Sequence, residues 1–343
     1  MLKGIAIFLV VIGHVLTMCI RDIDRAVLFK FVEKIHMPIF FFISGYLTFK
    51  LGKDGKLNKP DLLSRAKQLL IPFFAVSTLW IYYFPNSGLQ SPFVSTWEGL
   101  YFSAGKNGYW FTLCLFEIIL LYWILAPLFS YCRKTVVRIG VIAGAWSVLY
   151  MLSRFVFPQQ VNALVGMPLL CEFFPIFMFG MIAKSEQCTF DKITASSSWI
   201  TVAMLTGSVL MYLVCWPWEF GLSEDVVMLA KQILYMCVVV IAVAVVKPWG
   251  ESAFGVETPD GTFMARLWKY LGSQSLAIYL LHYFFLFPMA VFREPLLGMN
   301  LNLVPTLIVA VFFALIIISV ALCVNHIISK SKFMALLLTG KNN

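Results

Sequence analysis

Charge is scarce in this chain. Charged residues fill 13% of its 343 positions, against roughly 25% in soluble domains, whose folded surface has to be wetted. With 61% of the residues hydrophobic, there is too little polar surface to cover a water-facing globule, so most of the surrounding solvent must be lipid. The net charge of +9 does not point to nucleic acid. The basic residues lie in short stretches between apolar runs, the pattern by which a membrane protein marks its cytoplasmic side. Membrane lipid is an expected partner; nucleic acid is not.

Paired cysteines are missing as well. Eight cysteines are scattered in or beside apolar runs without a CxxC pair, which argues against a disulfide framework or a thiolate metal site and for small buried hydrophobes. No metal is predicted. The first apolar run holds a histidine and lacks a small-residue cleavage site, so a cleavable signal peptide is not expected. No repeat of a fixed period and no inverted duplication of the two halves is visible.

What is present is apolar length. A hydrocarbon core of about 30 Å takes about 20 helical residues, and ten stretches qualify: 4–20, 36–52, 67–84, 109–131, 137–156, 165–183, 198–216, 226–246, 268–291 and 303–328. The expected fold is all-α, a polytopic membrane helix bundle of about ten transmembrane helices, forming a single integral-membrane domain over 1–343. The intervening loops alternate in charge. One set carries Lys50, Lys53, Lys56, Lys59, Arg65 and Lys67, then Arg133, Lys134 and Arg138, then Lys184 and Lys192, then Lys247, Arg266 and Lys269, then Lys330, Lys332 and Lys341. The other set is poor in basic residues, which places both termini in the cytoplasm. One loop dissents: 21–34, expected outside, contains Arg21, Arg25, Lys30 and Lys34. Segments 85–108 and 247–266 read as turn-rich connectors.

Ionisable groups inside spans are costly and usually face the bundle interior. Here they are His14, His36, Glu117, Glu172, Lys231 and His282, with Lys3 at the inner edge. Lys3 and His14 are eleven residues apart, almost three whole turns, so they share one helix face about 16 Å apart. That arrangement suits an anionic cytosolic ligand reaching inward to a reactive group; the plainer alternative is a snorkelling lysine and a packing histidine. In SQSLAIYLLH, Ser275, Tyr279 and His282 stand at i, i+4 and i+7, a single stripe on the ninth span. Counted from Lys269, Tyr279 lies about 15 Å deep, level with His14. Two histidines and a phenol at matched depth predict one buried polar pocket. In KIHMPIFFFISGYL, His36 begins the second span, Pro38 falls in its first turn, and Ser44 and Gly45 admit a close neighbour. His326 reads as an interfacial residue without chemistry.

These stretches together resemble the acyltransferase 3 family of bacterial inner-membrane O-acyltransferases, most closely its fucose 4-O-acetylase-like branch. The family's basic residue and histidine with ten residues between them match LKGIAIFLVVIGH, with Lys3 where arginine is usual. Its FFxxSG-type segment matches at His36, Pro38, Phe41, Phe42, Ser44 and Gly45. SRAKQLLIPFF matches through Arg65, Lys67 and Pro72, GYWFTLCLF through Trp110 and Phe111, FPIFMFGMIAK through Gly180, and the late serine-x3-tyrosine motif through Ser275 and Tyr279. Lysine for arginine exchanges a forked donor for a point charge, which weakens any bidentate phosphate contact.

The resemblance implies transfer of an acyl group, usually acetyl, from cytosolic acetyl-CoA to a hydroxyl of a glycan or lipid-linked saccharide, in the bacterial cytoplasmic membrane. Coenzyme A is polyanionic, so Lys3, Arg65 and Lys67 are the expected phosphate contacts. Imidazole titrates near neutrality and can take a hydroxyl proton, which makes His14 the expected general base or, in a covalent variant, the acyl relay. Tyr279 and Ser275 are expected to stabilise the oxyanion or orient the base. His36, His282, Ser44, Trp110, Glu117 and Glu172 are expected around the acceptor substrate. The alternative is a secondary transporter or flippase for a lipid-linked or small-molecule substrate, with His14, Glu117, Glu172 and His282 as a proton relay. It predicts internal repeats, and it gives no reason for the lysine-to-histidine spacing.

Overall fold

The computed structural model describes residues 1–19, 27–51, 57–86, 97–132, 134–247, 263–289 and 303–340. Among them the fold is helical, with one isolated bridge between Leu51 and Leu57. In chain order the helices are α1 (Leu2–Cys19), α2 (Val27–Thr48), α3 (Leu62–Asn86), α4 (Trp97–Phe102), α5 (Trp110–Tyr131), α6 (Thr135–Met151), α7 (Gln159–Val165) and α8 (Met167–Ser185). They continue with α9 (Gln187–Ala195), α10 (Ser197–Cys215), α11 (Glu224–Val246), α12 (Phe263–Ser273), α13 (Ser275–Met289), α14 (Leu303–Ile328) and α15 (Lys332–Thr339). Among the described residues, six segments are long and apolar enough to cross a membrane: α5, α6 with its extension to Val156, α8, α10, α11 and α14. The other four predicted spans overlap α1, α2, α3 and the α12–α13 pair, helices that fall short of that combination of length and apolarity among the described residues. α6 buries none of its residues and exposes Val136, Ile139 and Val148, as a helix bathed in lipid does. The predicted connector 247–266 falls largely outside the described residues, as do Arg21, Arg25, Lys53, Lys56, Arg133 and Lys341.

The second span departs from expectation. Its helix begins at Val27, not near His36, so His36 lies well inside it and Pro38 is an interior proline. A proline there removes a helix hydrogen bond, contrary to its expected first-turn position. The charged residues 30–34, expected in the outer loop 21–34, lie in this helix. Here they are accommodated locally. Lys30 Nζ donates to the Cys215 carbonyl at 3.2 Å and lies 4.6 and 4.7 Å from the ring centroids of Trp216 and Trp218, a cation held by two aromatic faces. Lys34 pairs with Glu33 at 3.2 Å. The dissenting basic loop is thus partly a helix whose first lysine has its own aromatic cage.

The chain forms two compact units, and each is described by itself. The first comprises Met1–Ile43 and Cys188–Ser329. α1 runs through its interior, packed against α12, α13, α14 and α11, and Ala6, Ile7, Val10, Val11, Val15 and Leu16 are buried. A helix apolar all round belongs in such a place. Two glycines bring α1 onto α12: a Cβ at Gly4 would overlap the Trp268 carbonyl, and one at Gly272 would stand 3.1 Å from the Gly4 nitrogen. The chain breaks at Gln274 between α12 and α13. Asn325 Nδ2 of α14 donates to the Gln274 side-chain oxygen at 2.9 Å, which pins the break, so α12 follows one half of α1 and α13 the other.

The second unit comprises Ser44–Gln187 and Lys330–Asn343, with α5 packed on α3 and α8, α6 on α8, and α15 on α3. Trp146 Nε1 donates to the Cys171 carbonyl at 2.9 Å, tying α6 to α8. Lys106 is the unexpected residue. It is 2% exposed, and its ammonium donates to the carbonyls of Tyr101, Ala163 and Leu164 at 2.8, 2.7 and 2.8 Å. Burial pushes this amine below the usual lysine range, while Glu117 acts the other way. Lys106 and Asn107 have φ of 46° and 53°, a region that side chains rarely adopt; the three charged hydrogen bonds hold the chain there. Lys106→Met should therefore destabilise this unit by about 3 kcal/mol, the scale of hydrogen bonds to a charged donor, visible as a lower melting temperature in detergent. A melting temperature unchanged from wild type would refute the clamp.

Candidate active site

Three of the four histidines meet in the first unit, one each from α1, α2 and α13. His14 Nε2 and the Tyr283 hydroxyl share a hydrogen bond of 3.1 Å. The His14 ring centroid lies 5.1 Å from that of His282 and 4.9 Å from that of Tyr283, and His282 and Tyr283 lie 4.2 Å apart. His36 approaches α1 one residue before His14: a Cβ on Gly13 would stand 3.8 Å from His36 Cε1. His36 is buried, with Nδ1 on the Val32 carbonyl at 2.5 Å. His14 itself is only partly buried.

His282 is fully enclosed, at 0% exposure. Its Nδ1 lies 2.6 Å from the Tyr279 carbonyl and 3.1 Å from the Ile278 carbonyl. Its Nε2 has no hydrogen-bond partner among the described residues.

The predicted stripe holds in part. α13 is continuous from Ser275, so Ser275, Tyr279 and His282 share a face, and the Tyr279 ring centroid is 6.0 Å from that of His282. The phenol bonded to His14, however, is Tyr283, which the sequence reasoning passed over. A signal was available: Tyr283 stands four residues after Tyr279, on the same side of the helix. Ser275 opens α13 just past the break and sits two turns, about 10 Å, before His282. The structure does not bring it to the histidines.

At the other end of α1, a Cβ on Gly272 would lie 3.2 Å from the Lys3 Cβ, so the Lys3 backbone is fixed against α12. The Met1 amino group is held below the usual range by burial, then by the Lys269 and Lys3 charges; Lys269 therefore shares this basic end with Lys3.

The remaining predicted residues belong to the second unit. Asp61 Oδ1 accepts from the amides of Leu63 and Ser64 at 3.1 and 3.2 Å, starting α3. Arg65 and Lys67 follow in its first turns, Lys67 exposed and Arg65 Nη1 reaching Gln68 Oε1 at 3.4 Å. Gly340, with φ of 63°, seats its backbone against Lys67 and Gln68, where a Cβ would overlap the Lys67 carbonyl. Trp110 stacks on Phe173 with centroids 5.3 Å apart. Glu117 has one buried carboxylate oxygen without a hydrogen-bond partner among the described residues. Glu172 lies on α8, and Ser44 near the end of α2 offers its carbonyl to Thr48 Oγ1 at 2.7 Å.

Residues 1–324 match the acyltransferase 3 family, described as an acyltransferase domain. The chain belongs to that family, and it is a multi-pass membrane acyltransferase. No curated protein and no solved structure matches it.

Proposed function

We propose that this acyltransferase moves an acetyl group from cytosolic acetyl-CoA to a sugar hydroxyl of a surface or lipid-linked glycan, in the bacterial cytoplasmic membrane. On this reading the chain is nearest the fucose 4-O-acetylase-like branch, and both termini are cytoplasmic. The observation that carries it is the 3.1 Å bond between His14 Nε2 and Tyr283, beside a second imidazole and about three turns from Lys3. An imidazole about three turns along a helix that begins beside a cation suits a thioester whose polyanionic end stays at the rim. His14 supplies the reacting ring, as general base or as acyl relay. Tyr283 fixes the orientation of that ring. The Tyr279 phenol is the nearer of the two predicted oxyanion donors; Ser275, two turns back, fits a contact with the pantetheine arm better. Within the first unit, Lys3 serves the CoA phosphates and His36 is assigned to the acceptor; Arg65, Lys67, Ser44, Trp110, Glu117 and Glu172 belong to the second unit.

The test uses purified full-length protein in nanodiscs. It should bind acetyl-CoA and slowly release CoA to water, whereas a transporter or flippase would ignore acyl-CoA and answer to a proton gradient. A protein that neither binds nor cleaves acetyl-CoA sinks this reading. Removing the rim charge should act on binding more than on chemistry: Lys3→Ala should raise KM for acetyl-CoA about tenfold, the worth of one charge-assisted phosphate contact, with kcat nearly unchanged. A fall in kcat at constant KM would place Lys3 elsewhere.

A further inference from the structure

His282 carries more than packing. The Tyr279 and Ile278 carbonyls facing its Nδ1, at 2.6 and 3.1 Å, are acceptors only, so Nδ1 must hold the proton. A neutral imidazole has one N–H, which leaves a bare lone pair on Nε2. That atom is fully buried and has no hydrogen-bond partner among the described residues. Orphaned polar atoms of this kind are rare in folded proteins and call for a reason. The lone pair sits on a ring whose centroid lies 5.1 Å from that of His14, so the two imidazoles are direct neighbours. His14, by contrast, already commits its Nε2 to the Tyr283 phenol. The two rings are therefore not equivalent: one is engaged, and the other is a base with nothing to accept.

We propose that His282 is a second catalytic imidazole, whose Nε2 takes the proton of the acceptor hydroxyl while His14 attends to the thioester. This rests on the acyl-transfer reading above and divides its labour. The hydroxyl oxygen forms a bond to the acyl carbonyl carbon, and the O–H proton passes to His282 Nε2. The C–S bond then breaks with its electron pair on sulfur. His282 returns the proton to that thiolate, so the products are an ester and free CoA thiol, and the ring is neutral again. Backbone carbonyls fix the tautomer, and the base is aimed before any substrate arrives.

The experiment is His282→Asn in the full-length protein in nanodiscs, with acetyl-CoA as donor and either water or hydroxylamine as nucleophile. Asparagine keeps a donor where Nδ1 was and removes the acceptor. Water needs a base, whereas hydroxylamine attacks thioesters without one. Hydrolysis should fall about a hundredfold or more, while hydroxamate formation and acetyl-CoA affinity stay within about threefold of wild type. Hydrolysis within threefold of wild type overturns the proposal, and so does an equal loss with both nucleophiles, which would mark a structural role. Wild-type protein inert toward both would instead remove the acyl-transfer reading, and this inference with it. Should the variant fail to fold, 15N NMR of histidine-labelled wild-type protein decides: His282 must show a protonated Nδ1 and a bare Nε2, and the opposite tautomer refutes the assignment.

Discussion

Alanine in place of His14 should cut CoA release from acetyl-CoA by about a thousandfold, within the range that a positioned general acid–base group supplies, and leave a protein that still purifies as a folded species. The stability cost is small because the side chain gives up one phenol hydrogen bond, worth about 1 kcal/mol net, from a position that is already partly exposed. The chemical cost is large because no neighbour can take its place. His282 faces it but is anchored to its own helix through Nδ1, and His36 is likewise held on Val32. Neither ring can swing over without giving up that bond. His14→Gln sharpens the result. Its amide can still meet the Tyr283 hydroxyl but offers no imidazole ring to the thioester, so it should be as inactive as alanine. Activity within tenfold of wild type in either variant would show that the ring on α1 does no chemistry. A loss accompanied by aggregation in alanine but not in glutamine would mean that the hydrogen bond, and not the base, was being measured.

Gly45→Ala should be strongly destabilising to the second unit. A Cβ there would overlap the Phe177 carbonyl on α8, and that obstacle is backbone, which cannot rotate aside. Overpacking of this kind costs on the order of 3 kcal/mol, so the melting temperature in detergent should fall by several degrees. Gly140 and Gly144 provide an internal control, since nothing lies within 4 Å of a Cβ at either. Both lie inside α6, where alanine is the better helix former by about 0.5–1 kcal/mol. The same substitution at those positions should leave the melting temperature unchanged or raise it. Equal effects at all three sites would contradict the close crossing of the end of α2 over α8.

Much of this arrangement could be read from composition and spacing. The boundaries of α14 coincide with the predicted 303–328, because a long uncharged run leaves no choice. Lys3, His14, Tyr279 and His282 came from residue counting, since helix pitch fixes which side chains share a face. Three things were not legible, each because a partner distant in sequence decides it. The start of α2 at Val27 depends on Trp216 and Trp218 sheltering Lys30, and hydropathy saw only an unpaired charge. The break at Gln274 needs Asn325, and no proline announces it. Lys106 looked like one more loop lysine until the Ala163 and Leu164 carbonyls closed around it. The choice between Tyr279 and Tyr283 as partner of His14 turns on helix rotation, which periodicity leaves open between two residues a single turn apart.

The glycine contact between α1 and α12 has a bearing on traffic. Where the Gly4 backbone meets the Trp268 carbonyl and Gly272 lies on the Gly4 amide, the two helices leave no width for even a methylene chain. That flank is sealed beside Lys3. On the function proposed above, a pantetheine arm running from Lys3 toward the imidazoles would have to take another side of α1, and bulk added at Gly4 would wedge this seam apart.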